Sequence, residues 1–302
     1  MTSNYSIRAF KRSIPLMILM LPAIATTFLF DYVTLYGIQI AFREFRVRDG
    51  IWGSPWIGLD HFVRFVSHPN FWVMLRNTLR ITAYSLALFP LTVIVALLIN
   101  EIRSERYKKV VQMVSYAPHF LSVVVLVSMV VLFLARPTGL VNNVLEILGR
   151  DRICFMSNPD IFHHIFVWSG TWAGIGFGTI IYLAALAGVS PELVDAAKID
   201  GATRLQVIKH VNIPHIIPTV VILFILATGG ILNLGAERIW IMQNPLNRPG
   251  SEVFGTYVLA RGVFGGQFSY TTAITVLNNV VNVIVILIVN KIAKIVSGIG
   301  VW

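Results

Sequence analysis

Side chains able to do chemistry are sparse in this chain, and most of them interrupt long apolar runs. Asn278, Asn279 and Asn282 put three amides inside one such run. On a helix, residues three and four apart share a face, so Asn282 lines up with both Asn278 and Asn279. An amide facing hydrocarbon is costly without a partner. The trio therefore predicts either hydrogen bonds between helices or one wall of a polar pathway. Tyr84 with Asn77, Thr78 and Ser85, and Tyr116 and His119 with Ser115 and Ser122, offer hydroxyls, ring faces and an imidazole to such a pathway. Arg238, Arg248 and Arg261 stand in one polar connection. They could attract an acidic oligosaccharide, lipid headgroups or the acidic surface of a partner.

Catalytic patterns are missing. Nothing matches Gly-x4-Gly-Lys-Ser/Thr, so the chain has no loop to cradle nucleotide phosphates. ATP, its Mg and its hydrolysis are expected on partner subunits. No His-Glu-x-x-His pair occurs, and Cys154 is the single cysteine, which leaves neither an internal disulfide nor a metal site. His163 and His164 have only Asp160 nearby and are expected to mark an interface rather than hold a metal. Ser128 and Ser169 have no activating neighbour in sequence. The expectation is a chain that is not an enzyme and binds no cofactor.

The elements that must position these residues follow from composition. Of 302 residues, 56% are hydrophobic and 13% charged, against about 25% charged in a soluble domain. That excess of apolar side chains fits an all-α polytopic membrane bundle, in which lipid or neighbouring helices cover it. The net charge is +10, but the basic residues are spread thinly, with no basic patch interleaved by aromatics. Membrane lipid is the expected anionic contact, and nucleic acid is not.

Six apolar segments emerge, at 14–41, 81–99, 110–134, 165–187, 216–234 and 272–289. Each reaches or approaches the roughly 20 helical residues that cross a bilayer core. The first follows Arg8, Lys11 and Arg12 but is too long for a signal core and ends without a small-residue cleavage site, so it is expected to be retained. Asp31 inside it should face the bundle. Pro118 and Pro218 are expected to kink helix ends. With both termini cytoplasmic, Lys11, Lys108, Lys109, Lys198, Lys209, Lys291 and Lys294 all fall inside and no lysine falls outside, which is the positive-inside bias. The first outer connection carries Trp52, Trp56, Phe62, Phe65, Phe71 and Trp72 among glycines. It suits a segment lying at headgroup level, or a docking surface for an extracytoplasmic partner.

One inner connection, 188–215, stands apart. Ser190 followed by Pro191 reads as an N-cap and first helical residue, with Glu192 where the helix dipole favours an acid. Leu193, Ala196 and Ala197 form an apolar strip. Gly201 interrupts, and Thr203 with Gln206 has capping-box spacing for a second short helix. Leu205, Ile208 and Val211 line one face until Pro214 is expected to end it. Asp195, Asp200, Lys198, Arg204 and Lys209 make a polar rim. Two short helices around a glycine could lie on their own bundle or plug a groove on another protein.

The spacing within this connection resembles the cytoplasmic coupling motif of binding-protein-dependent ABC importer permeases. That motif is Glu-Ala-Ala, three residues, Gly, nine residues, Ile, one residue, then Leu-Pro. Asp195, Ala196 and Ala197 open it here, Gly201 and Val211 follow, and Ile213 with Pro214 close it. Asp for Glu, Val for Ile and Ile for Leu are the departures; the shorter acid puts the family's ion-pair geometry in question. The likeness to the carbohydrate branch of the family extends over almost the whole chain. It includes Tyr36-Gly37, Trp56-Ile57-Gly58-Leu59, Pro118-His119-Phe120, Gly139-Leu140-Val141-Asn142, Asn244-Pro245, Thr256-Tyr257-Val258 and Gln267-Phe268-Ser269-Tyr270. Thr34 departs from a frequent proline.

The resemblance implies the type I ABC importer permease fold, a single domain with six spans, in a bacterial inner membrane. It implies a second related permease, two ATPase subunits and an extracytoplasmic solute-binding protein as partners. The implied cargo is an oligosaccharide or polysaccharide fragment, with an acidic, alginate-type ligand expected from the three arginines. Glu192, Asp195, Ala196, Ala197, Asp200, Gly201, Arg204, Val211 and Pro214 would then couple the chain to an ATPase. Two rivals are an ion-coupled secondary transporter, for which Asp31 is the one candidate intramembrane acid, and a non-transporting membrane assembly protein.

Overall fold

The computed structural model describes residues 2–230, 232 and 234–301, with side chains from residue 13 onward. The chain is helical, and among the described residues five helices are long and apolar enough to cross a membrane, six if a bent pair is one span. The first helix, α1 (Thr2–Thr27), continues as a π turn at Phe28–Tyr32 and a 3-10 stretch at Tyr36–Phe42. Next come α2 (Phe71–Ala87) and α3 (Phe89–Asn100), one span with a slight break at Leu88. The bent pair is α4 (Glu105–Tyr116) and α5 (Val123–Leu134). A long helix, α6 (Phe162–Leu186), precedes the short α7 (Pro191–Ile199). Then α8 (Arg204–Val207), a π turn at Ile208–Asn212 and α9 (Ile213–Thr228) form one span. The last elements are α10 (Ala236–Met242) and α11 (Phe268–Ser297).

Two compact units divide the chain, one of 1–67 with 261–277 and the other of 68–260 with 278–302. In the first, the connection after Phe42 folds back on itself. Phe42 stacks on Trp56 at 5.6 Å, Arg43 Nη1 donates to the carbonyls of Trp52 and Ser54, and Phe45 N donates to Ser269 Oγ at 2.9 Å. Trp52 and Trp56 remain exposed. Within the spanning part, Ser13–Phe42, no residue of the most apolar window is buried, whereas every other spanning helix buries a face. Asp31 is exposed in the π turn. Lipid or another subunit has to cover this helix, because so much bare apolar surface is incompatible with water.

In the second unit, α2, α5, α6 and α10 share a core of Ile81, Val127, Phe162, Phe166, Val167, Ile239, Met242 and Val253. A smaller cluster of Leu97, Leu186 and Ile216 closes the end where α3, α6 and α9 meet. Helix α4 crosses α6 at Gly176, where an added Cβ would stand 2.0 Å from the carbonyl oxygen of Ser115. Only a glycine admits that approach.

Three expectations change. The third apolar segment is not one straight span: α4 and α5 meet at 101°. Pro118 lies in a 3-10 turn, and Ser122 Oγ caps α5 by accepting from Val125 N at 3.3 Å, so the chain restarts in a new direction. Pro214 does not end the coupling helix; it occupies the first turn of α9, where its missing N–H matters least, and the π turn before it carries the helix through. Pro218 lies inside α9 rather than at an end, a position that bundle neighbours make tolerable in membranes.

Candidate functional site

Between α2/α3, α6 and the end of α9 lies a cavity of about 300 Å³. Thr82, Ser85, Thr92 and Thr171 bring hydroxyls to it, Phe89 brings a ring face, and Gly174 leaves it room. No atom lies within 4 Å of where a Gly174 Cβ would be, in contrast to Gly176 one half-turn on. Hydroxyls beside an aromatic face suit a polyhydroxylated ligand. Of the lining residues, Ser85 alone was among the pathway candidates named from sequence. The others come together from segments far apart in the chain, which no local pattern reveals.

The remaining pathway candidates are placed elsewhere. Tyr84 ties two helices together: its hydroxyl accepts from Trp168 Nε1 at 2.7 Å and sits 3.2 Å from His164 Nδ1. His163 is buried and packs beside Tyr84, and His164 is exposed. Tyr116 lines a separate hollow with Lys109, Gln112, Met113 and Phe120. The His119 ring lies flat on Phe177 at 4.0 Å. Asn278 and Asn282 are buried and Asn279 is exposed. Asn282 Oδ1 accepts from Leu232 N at 3.1 Å, which favours the hydrogen-bonding reading of this trio over a pathway wall.

Arg248 is exposed at the start of a short helix, and Arg261 is exposed in the other unit. Arg238 is partly buried. Its guanidinium lies 3.8 Å from the Phe166 ring centroid and Nη2 donates to Phe166 O at 3.2 Å. Gly170 makes the seat, since a Cβ there would come within 2.3 Å of Nη1. Burial lowers the Arg238 pKa from the usual guanidinium range to about 10, so the group is still a cation at neutral pH.

The 188–215 connection folds as its punctuation predicts. Ser190 Oγ accepts from Glu192 N at 3.2 Å, and the Thr203–Gln206 capping box is complete. Gly201 takes φ +80°, which ends α7 in the left-handed region. Asp195 pairs with Lys198 at 2.9 Å on the surface. Glu192, Asp195, Ala196, Asp200, Gly201, Arg204 and Pro214 are exposed, while Ala197 and Val211 are half-buried. No residue of α7 is buried. Leu193, Ile199 and Leu205 are 60%, 86% and 77% exposed, bare apolar side chains on an otherwise polar segment. Behind this segment lies a second cavity of about 360 Å³, with Glu101, Arg103, Lys198 and Arg204 on its wall.

Residues 88–294 match the family described as "Binding-protein-dependent transport system inner membrane component". The chain belongs to that family. It is a multi-pass membrane permease of the ABC importer type and stands among the carbohydrate-uptake permeases. It is 41% identical over 280 residues to the polygalacturonan/rhamnogalacturonan transport system permease protein YteP of Bacillus subtilis strain 168, covering 92% of this chain and 87% of that one. Protein LplB of the same organism is 39% identical over 287 residues, covering 95% and 90%. Among solved structures, the permease resembles a chain of a bacterial ABC transporter involved in the import of the acidic polysaccharide alginate. The TM-score is 0.87 at 35% identity, with 97% of this chain and 99% of that one covered. A second structure of the alginate transporter, in complex with an alginate pentasaccharide-bound periplasmic protein, matches equally well. Membership in the family sets aside the ion-coupled carrier and the assembly scaffold.

Proposed function

We propose that this permease imports acidic oligosaccharides, handed to it by an extracytoplasmic binding protein and moved by ATP hydrolysis on partner subunits. Both termini lie in the cytoplasm in this reading, and the α7–α8 segment faces the same side. The permease pairs with a second, related permease, and each docks one ATPase. Leu193, Ile199 and Leu205 enter a groove of the ATPase, with Glu192, Asp195, Asp200 and Arg204 setting the register at its rim. ATPase closure pushes on α7. Because α8 runs without interruption into α9, and α9 ends beside the cavity, movement at the inner surface reaches the cavity wall. The cavity then opens outward, accepts ligand and reopens inward after hydrolysis.

One observation carries the coupling reading: a capped helix between two spans that buries nothing and presents its largest apolar side chains bare. Acidic cargo is supported by similarity to permeases whose names specify polygalacturonan and alginate. The test is ATP hydrolysis by the reconstituted complex against a panel of neutral and uronate oligosaccharides. Stimulation confined to the uronates is expected. Equal stimulation by both, or by the neutral sugars alone, overturns the acidic-cargo reading.

A further inference from the structure

A guanidinium taken partly out of water normally has a carboxylate beside it, because an uncompensated charge is costly in a low dielectric. Among the described residues Arg238 has none: no acid of theirs lies within ion-pair distance, and a single hydrogen bond to them, at Phe166 O, uses one of its five N–H donors. The rest of the seat is a ring face and the notch left by Gly170. A ring and a glycine hold a cation in place without neutralising it. Nor is the seat remote from the cavity: Thr171 and Gly174 line it, directly after and one turn beyond Gly170, and so does Leu234, just before α10.

We propose that Arg238 is a specificity-determining residue that reads a carboxylate of the cargo at the mouth of this cavity. The planar, permanently charged fork suits a uronate carboxylate, which takes two parallel N–H donors. The neighbouring hydroxyls of Thr171 and Ser85 take the sugar's own hydroxyls. Neutral oligosaccharides of the same length fit the space but leave the cation unpaired. Discrimination is therefore built into the membrane subunit as well as the binding protein. This assignment rests on the acidic-cargo reading above.

The test uses the complete complex in vesicles, with its binding protein, and compares uptake of a uronate oligosaccharide with its carboxyl-reduced counterpart. Wild type is expected to favour the acid by about tenfold or more, the scale of one charge-assisted hydrogen bond. Arg238→Gln should cut the preference to the part the binding protein contributes, by slowing the acid while leaving the neutral sugar unchanged, and Arg238→Lys should keep more of it. Gly170→Ala supplies an independent arm. It retains the charge and pushes only the flexible end of Arg238 from its seat, so preference should fall while the thermal melt of the complex is unchanged. Equal loss for both sugars in the Arg238 variants, or an undiminished preference in Arg238→Gln and Gly170→Ala, overturns the assignment. A wild type without preference for the acid overturns the acidic-cargo reading and this assignment with it.

Discussion

Gly174 and Gly176 lie two residues apart on α6 and should respond oppositely to added bulk. A Cβ at Gly176 would stand 2.0 Å from the Ser115 carbonyl oxygen and 2.4 Å from its carbon, more than an ångström short of ordinary contact. The obstacle is backbone, so α4 itself must move. Overpacking of this kind costs about 1–3 kcal/mol, and the upper half applies where no side chain can swing aside. At about 2–4 °C per kcal/mol, Gly176→Ala should lower the melting temperature by about 4–12 °C. At Gly174 nothing lies within 4 Å and the side chain would enter the cavity. Gly174→Leu should therefore assemble and melt like wild type while filling much of the space that cargo crosses, so uptake falls and ATP hydrolysis loses its response to cargo. The paired assay is thermal unfolding of the purified complex beside uptake in vesicles. A stable Gly176→Ala together with a normally transporting Gly174→Leu would refute the account of which glycine packs and which clears a path.

Asn282→Leu removes the acceptor for Leu232 N and should destabilise the complex by about 1–3 kcal/mol, lowering the melt without altering the preference between sugars. Asn142 is fully buried and donates to the carbonyls of Leu134, Ala135 and Ile153 while accepting from Ile153 N at 2.8 Å. Asn142→Leu orphans several of these groups at once and should melt lower still, by a protease-resistance or thermal assay. With the Arg238 pKa lowered to about 10, the cation is present below that value and lost above it, so wild-type preference for an acidic cargo should be flat from pH 6 to 9. Arg238→Lys begins from a lower intrinsic value, about 10.4, and the same burial lowers it further. Its residual preference should fade as pH rises through a lower range than in wild type; a pH-independent preference in the lysine variant would count against burial as the cause.

What could be read from the sequence was local. The N-cap at Ser190, the capping box at Thr203 and the left-handed Gly201 each depend on a few adjacent residues, and they form as expected. Helix existence followed from hydropathy, since a run of apolar residues must satisfy its backbone internally. Averaging over a window conceals direction, and so Pro118 and Ser122 turned a nominal third span into two pieces. Placement of Arg238 was illegible for another reason: its seat is made by Phe166 and Gly170, on a helix distant in sequence. The cavity suffers the same limitation, with Ser85 and Gly174 facing one space from separate spans. Asp31 shows the converse, a charge whose cover the chain does not itself provide.

Everything in the account turns on the bare apolar side chains of α7 receiving the motion of an ATPase. Full burial of a side chain like Ile199 is worth about 1.5–3 kcal/mol, so replacing it with an acid should weaken docking at least tenfold. The direct measurement is ATPase retained and cargo-stimulated hydrolysis in complexes purified through the permease, wild type beside Leu193→Asp/Ile199→Asp. The double variant changes only exposed positions and should fold normally, yet lose both the ATPase and the stimulation. Undiminished co-purification and stimulation in the double variant would contradict the account.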